Sequence, residues 1–154
     1  MSDILRGQLE KAPFLARLSA TDKDGVLREL TAFLAERDVV PAHRQEAVLT
    51  ALREREAKMS TGMQFGIAIP HAKLADIAEL AAAVAIAPQG VEFDALDRKK
   101  TTIFVVTLSP ATEVGTHVRF LADISRLLSS IAVRSALIAA TSHAEMMAAL
   151  YGNA

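Results

Sequence analysis

Cysteine is absent from this 154-residue chain, which excludes disulfides, thiol catalysis and thiolate metal sites from the outset. An excess of charge of one sign is missing too. Seventeen lysines and arginines stand against eighteen acidic residues, a formal net charge of -1. No basic block stands out, so nucleic acid and stable membrane insertion or attachment are poor expectations for the main partner. No apolar run approaches the roughly 20 residues that span a bilayer, and the longest alanine-rich stretch is broken by Pro88. The segment Met1-Ser2-Asp3-Ile4-Leu5-Arg6 lacks the basic-then-apolar plan of a secretory signal. Internal repeats, low-complexity tracts and Gly/Ser/Pro-rich linkers are also missing. What remains is a cytoplasmic globular chain, expected as one domain over residues 1–154 and long enough to bury a sizeable core.

Missing motifs narrow the chemistry further. Without Gly-x-x-x-x-Gly-Lys-Ser/Thr or Gly-x-Gly-x-x-Gly a nucleotide site has no support. There is no Gly-x-Ser-x-Gly elbow for a serine hydrolase, and no His-Glu-x-x-His. No cofactor and no metal are expected. A zinc site built from His71, His117 and an acidic residue stays open, although no ligand spacing argues for it.

Twenty of the 35 charged residues fall within positions 1–60, which reads as exposed helices early and more buried elements later. Residues 13–18 read as a short first strand. Thr21-Asp22-Lys23-Asp24 resembles a loose capping box, and behind it Val26, Leu27, Leu30, Phe33 and Leu34 recur at helical spacing to about residue 36. Pro41 permits a second helix start, with Val48, Leu49 and Leu52 as its buried stripe and Arg53, Glu54, Arg55 and Glu56 on its last turn. Residues 67–69 and 81–87 read as strands, followed by a turn at Gln89-Gly90. Residues 101–108 form a continuous β-branched and aromatic run, the mark of a central strand buried on both faces. From Thr116 the period returns to that of a helix, with Leu121, Ile124, Leu128 and Ile131 as an apolar face and Arg119, Asp123 and Arg126 pairing opposite. Ser142 caps a further helix ahead of Met146, Met147 and Leu150. The fold class is therefore α/β, a three-layer domain.

The stretch Ser60-Thr61-Gly62-Met63-Gln64-Phe65-Gly66-Ile67-Ala68-Ile69-Pro70-His71 places one imidazole after an apolar run and a proline, with two glycines upstream. Histidine is the side chain that can be a neutral nucleophile near neutral pH. A phosphoryl acceptor needs an accessible ring, one fixed tautomer and local positive charge for a nearly dianionic phosphate. The plain alternative is a histidine closing a strand, bonded to a loop carbonyl. Thr116 as a cap would put His117 in a helix's first turn, where free N–H groups favour an anion; the alternative there is an exposed histidine with no role. Arg55 offers a guanidinium that can grip phosphate bidentately, or else a solvated helix end. His43 and His143 read as surface residues, and Met63, Met146 and Met147 as core or contact filler.

With these residues in view, the chain resembles the enzyme IIA domain of the bacterial phosphoenolpyruvate-dependent phosphotransferase system, in its fructose, mannitol and nitrogen-regulatory branch. The resemblance runs over roughly residues 15–150. It rests on Arg55-Glu56, on Ser60-Thr61-Gly62 with Gly66-Ile67-Ala68-Ile69-Pro70-His71, on Gly90-Val91-Glu92-Phe93-Asp94-Ala95-Leu96-Asp97, and on Ser109-Pro110 followed by His117, Leu121-Ala122 and Ser125-Arg126-Leu127-Leu128. It implies an α/β/α sandwich around a mixed β-sheet. It implies that His71 matches the phosphorylated histidine, His117 the second active-site histidine and Arg55 the arginine near the phosphate. A histidine-containing phosphocarrier protein would be the donor, and a IIB domain or a regulated target protein the acceptor. The chain departs from the family pattern at Phe65, where a small polar residue is usual, and at Ala72, where glycine often follows the histidine. With no IIB, IIC or carrier domain in the sequence, the regulatory kind is favoured over the sugar-transport kind. The rival from another class is a non-catalytic module that controls a transporter or enzyme by docking alone.

Overall fold

A computed structural model describes residues 3–152. Met1, Ser2, Asn153 and Ala154, which fall within the expected unit of residues 1–154, lie outside the described residues. The elements in order are α1 (Asp3–Lys11), β1 (Phe14–Leu15), α2 (Lys23–Glu36), a 3-10 turn (Ala42–Arg44), α3 (Gln45–Lys58), β2 (Ile67–Ala68), β3 (His71–Leu74), β4 (Ala81–Val91), β5 (Thr101–Pro110), α4 (Val114–Leu127), α5 (Ile131–Ala139) and α6 (His143–Tyr151). The sheet runs β1-β4-β5-β2, with β3 also paired to β5 beyond β2. β4 and β5 are antiparallel, whereas β1, β2 and β3 join their neighbours in parallel, so the sheet is mixed.

Period-2 alternation on β5 divides the molecule into two cores. Phe104, Val106 and Leu108 pack with Leu30, Leu34, Leu49 and Leu52 of α2 and α3. Ile103 and Val105 pack on the other side with Leu5 and Leu9 of α1, Phe120 and Ile124 of α4, Leu137 of α5 and Met146 of α6. This is the expected three-layer α/β/α arrangement. Each Leu or Ile so buried contributes roughly 1.5–3 kcal/mol against the chain entropy lost on folding.

Several sequence expectations need correction. The helix α1 was not anticipated: Leu5 and Leu9 are its buried pair, too few apolar residues to set a period, with Gly7 between them. The N-cap of α2 is Asp22, whose carboxylate accepts from the Gly25 N–H, and not Thr21. The first strand is two residues long. Gln89-Gly90 is not a turn that ends a strand; β4 continues to Val91 through a register shift between Ile86 and Val91, with Pro88, which has no N–H to donate, inside the irregularity. Ile131 does not extend the apolar face of α4. It opens α5 and is 73% exposed, because Ser130 caps a new helix there.

Candidate active site

The site is built at the sheet edge where β2 gives way to β3. Ile67-Ala68 pairs with Ile103-Phe104, the chain is interrupted at Ile69-Pro70, and His71 resumes pairing opposite Thr107. His71 thus opens a strand instead of closing one. The interruption is pinned from both sides: the Ile69 N–H donates to the Thr61 carbonyl at 3.2 Å and the Thr107 N–H donates to the Pro70 carbonyl at 2.9 Å.

The lead-in explains its glycines. A Cβ on Gly62 would meet the Ala95 Cα at 2.9 Å and the Phe93 carbonyl oxygen at 3.0 Å, so only glycine lets these backbones approach. Gly66 has φ +74°, and Phe65 before it has φ 65°, a left-handed conformation uncommon for an aromatic residue. Phe65 is held there by a hydrogen bond from its N–H to Asp97 Oδ2 (3.1 Å) and by the Arg134 guanidinium 4.6 Å above its ring. Ala72 follows His71 in ordinary strand conformation, so the departure from glycine there is conformationally harmless.

Glu56, on the turn of α3 next to Arg55, is buried and fully engaged. It accepts from the Thr61 N–H at 2.8 Å and from Thr61 Oγ1 at 2.6 Å, and pairs with Lys23 Nζ at 2.9 Å. Lys23 also reaches Asp94 at 3.2 Å. One carboxylate therefore ties α2, α3 and the loop whose Thr61 carbonyl holds Ile69, two residues from His71.

His71 Nδ1 lies 2.8 Å from the Ile69 carbonyl oxygen. A carbonyl only accepts, so Nδ1 carries the proton and Nε2 keeps its lone pair in the neutral ring. Burial lowers the His71 pKa, the Ile69 hydrogen bond opposes that, and the Arg55 charge lowers it again. Neutral His71 is the favoured form at pH 7. Its ring stands 5.2 Å from that of His117, centroid to centroid, at 51°. His117 is 3% exposed, and its pKa is pushed down to about 4, first by burial and then by the charges of His71 and Lys73.

The placing of His117 differs from expectation. Glu113, not Thr116, is the N-cap residue of α4, and no side chain caps it. The His117 N–H is already bonded to the Glu113 carbonyl at 3.2 Å, so the site gains no free backbone donor from this residue. What His117 supplies is its ring.

Both imidazoles line a depression of about 480 Å³ between α3, β3 and α4, with Arg55, Lys58, Lys73 and Leu121 among its walls. Arg55 spends one N–H on the Met59 carbonyl at 2.7 Å, leaving the rest of its fork for the hollow. The structure thus brings His71, His117 and Arg55 together, whereas His43 and His143 are kept out of this hollow. Three cations, Arg55, Lys58 and Lys73, against Glu54 make it a place for an anion. Sequence reasoning missed Lys73, which shares the His71 face through strand alternation, and the anchoring role of Glu56. Among the described residues no group of three or more His, Cys, Asp or Glu converges as metal ligands would, and no helix is long and apolar enough to cross a membrane.

Residues 9–152 match the family model of the phosphoenolpyruvate-dependent sugar phosphotransferase system, EIIA 2. The PTS system fructose-specific EIIA component of Haloferax volcanii is 39% identical over 98 residues, which is 64% of each chain. The nitrogen regulatory protein IIA-Ntr of Neisseria meningitidis superposes with a TM-score of 0.81 over 92% of this chain and 94% of that one, at 25% identity. The enzyme IIAMtl of Escherichia coli, solved in complex with phosphorylated IIBMtl, shares the fold with a TM-score of 0.73 over 92% of this chain and 95% of that one, at 18% identity. A cationic hollow around two facing imidazoles and a match over nearly the whole length agree, and the chain belongs to the EIIA 2 family of the phosphoenolpyruvate-dependent sugar phosphotransferase system.

Proposed function

We propose that this protein is a phosphoryl carrier whose nucleophile is His71 Nε2. The reading is supported above all by the His71 Nδ1–Ile69 hydrogen bond of 2.8 Å, which leaves the other nitrogen free to attack. The donor is a phosphohistidine on a small histidine-containing carrier protein. The Nε2 lone pair forms a bond to phosphorus as the donor's N–P bond breaks, its electron pair returning to the donor ring. His71 becomes cationic on bonding phosphorus, and its Nδ1 keeps its proton, donated to the Ile69 carbonyl, which stabilises that charge. Such a transfer asks for positioning and electrostatic support rather than covalent help from the protein. Arg55 grips equatorial phosphoryl oxygens, and His117 donates one hydrogen bond to them. No nucleotide, metal or cofactor takes part. The transfer takes place in the cytoplasm.

The phosphoryl group is then passed to a IIB domain or kept as a signal to a regulated target. The regulatory reading is favoured by the near full-length likeness to the Neisseria nitrogen regulatory protein; the Haloferax relative, named for fructose, supports the transport reading over a shorter span. Incubation with phosphoenolpyruvate, the general phosphotransferase enzyme and a carrier protein should give an acid-labile, base-stable adduct on this chain. Unaltered uptake in His71→Ala would remove His71 as the nucleophile. Rapid discharge of the adduct onto a fructose-type IIB domain would favour transport over regulation.

A further inference from the structure

β5 carries hydroxyls at both ends, Thr101 and Thr102 at its start and Thr107 and Ser109 beside the site. Its row facing α4 reads Ile103, Val105, Thr107, Ser109: the first two belong to the core that includes Phe120 and Ile124, and alternation carries the next two to the same face. Thr107 pairs directly with His71 and Ser109 with Lys73, and paired residues project to one side of a sheet. α4 begins at Val114, just after β5 ends at Pro110, and folds back so that Phe120 and Ile124 cover Ile103 and Val105. His117, one turn earlier than Phe120, is therefore placed over the Thr107–Ser109 end of the strand.

Thr107 and Ser109 are fully buried, at 0% exposure. Neither hydroxyl has a hydrogen-bond partner among the described residues, and neither ring nitrogen of His117 has one. A buried polar atom normally finds a partner, and an exception calls for an explanation. Here four such atoms converge on one face of one strand end, and their chemistry is complementary, since a hydroxyl both donates and accepts while a neutral imidazole does one at each nitrogen.

We infer that Thr107 and Ser109 are positioning residues for His117, supplying through one buried water the hydrogen bond that holds its ring in a single tautomer and so aims its other nitrogen at the group carried by His71. The inference rests on the phosphoryl-carrier reading for its purpose but not for its test. His71 has its proton placed by a backbone carbonyl, whereas His117 has theirs placed by these hydroxyls.

The test is the imidazole 15N spectrum of the unphosphorylated full chain. The unaltered protein should show the widely separated nitrogen shifts of one dominant tautomer at His117. In Thr107→Val/Ser109→Ala those shifts should converge toward a mixture while the backbone amide spectrum stays folded, and phosphoryl uptake should slow by about tenfold, the kinetic equivalent of one lost hydrogen bond. Thr107→Ser, which keeps the hydroxyl, should retain the separated shifts. Should the double variant fail to fold, Thr107→Val and Ser109→Ala are read singly by the same shifts. An unchanged tautomer ratio in the hydroxyl-free variants overturns the inference. Failure of the unaltered protein to take up phosphoryl would instead overturn the carrier reading and leave the tautomer result standing.

Discussion

His71 Nδ1 and the Ile69 carbonyl oxygen, 2.8 Å apart, are joined by a hydrogen bond that spans only two residues. The paired register along β5 lapses between Ala68 and His71, and there the Ile69 carbonyl accepts from the side chain two residues on instead of from the sheet. The local backbone thus sets the tautomer of the nucleophile, and no distant residue is needed to do so.

His117→Ala should slow phosphoryl uptake by about 10²-fold while still allowing the adduct to form, the usual cost of removing one preorganised donor to a transferring group. Rapid-quench measurement with a labelled donor reads this. A rate equal to that of the unaltered protein would take His117 out of the transfer step.

Stability should fall in acid with a particular shape. The His117 pKa is about 4 in the folded protein against an ordinary 6.5, so between those values the unfolded chain binds more protons. The contribution is intact above pH 6.5, is lost progressively as the pH drops toward 4, and levels off below. Its full size is on the order of 3 kcal/mol, and the lowered His71 pKa acts in the same direction. Urea unfolding across this range should be less steep in pH for His117→Phe, and an identical slope would contradict the assignment.

Glu56→Gln should destabilise the protein by about 2 kcal/mol, because Lys23 loses a partner at 2.9 Å and Thr61 loses its charged acceptor. Uptake should slow as well, since Thr61 holds the segment ahead of His71. Urea unfolding and a rate assay on the same preparation separate the two effects.

Gly66→Ala should cost about 1–2 kcal/mol, because Gly66 sits at φ +74° with Thr102 Oγ1 3.0 Å from the position of a Cβ. Phe65→Gly, one residue earlier at φ 65°, should be within about 1 kcal/mol of neutral. There the relief of strain offsets the loss of the Arg134 contact at 4.6 Å. Thermal unfolding of both variants checks the contrast.

Much of the fold was legible because its signals are local. The stripes Val26–Leu34 and Val48–Leu52 announce α2 and α3 by spacing alone, and the run through Phe104 and Val106 announces a strand covered on both faces. His71, His117 and Arg55 were legible as candidates by residue type and by resemblance. Their meeting was not: it depends on β3 resuming in register with Thr107 and on α4 folding back over β5, which are long-range facts. The Thr116 cap failed because a Thr before a helical period is a weak signal when Val114 and Gly115 are already helical. Lys73, the anchoring role of Glu56 and the buried, unpartnered state of Thr107 and Ser109 were not legible, since an ordinary strand or helix also carries such residues, and only their partners, or lack of them, give them meaning.

The central claim is tested most directly by phosphorus–nitrogen NMR of the 15N-labelled protein after phosphorylation by a carrier protein. Phosphorus should couple to Nε2 of His71, with Nδ1 still protonated, and the signal should be missing from His71→Ala. Coupling to Nδ1, or a phosphorylated ring that is not His71, would contradict the account.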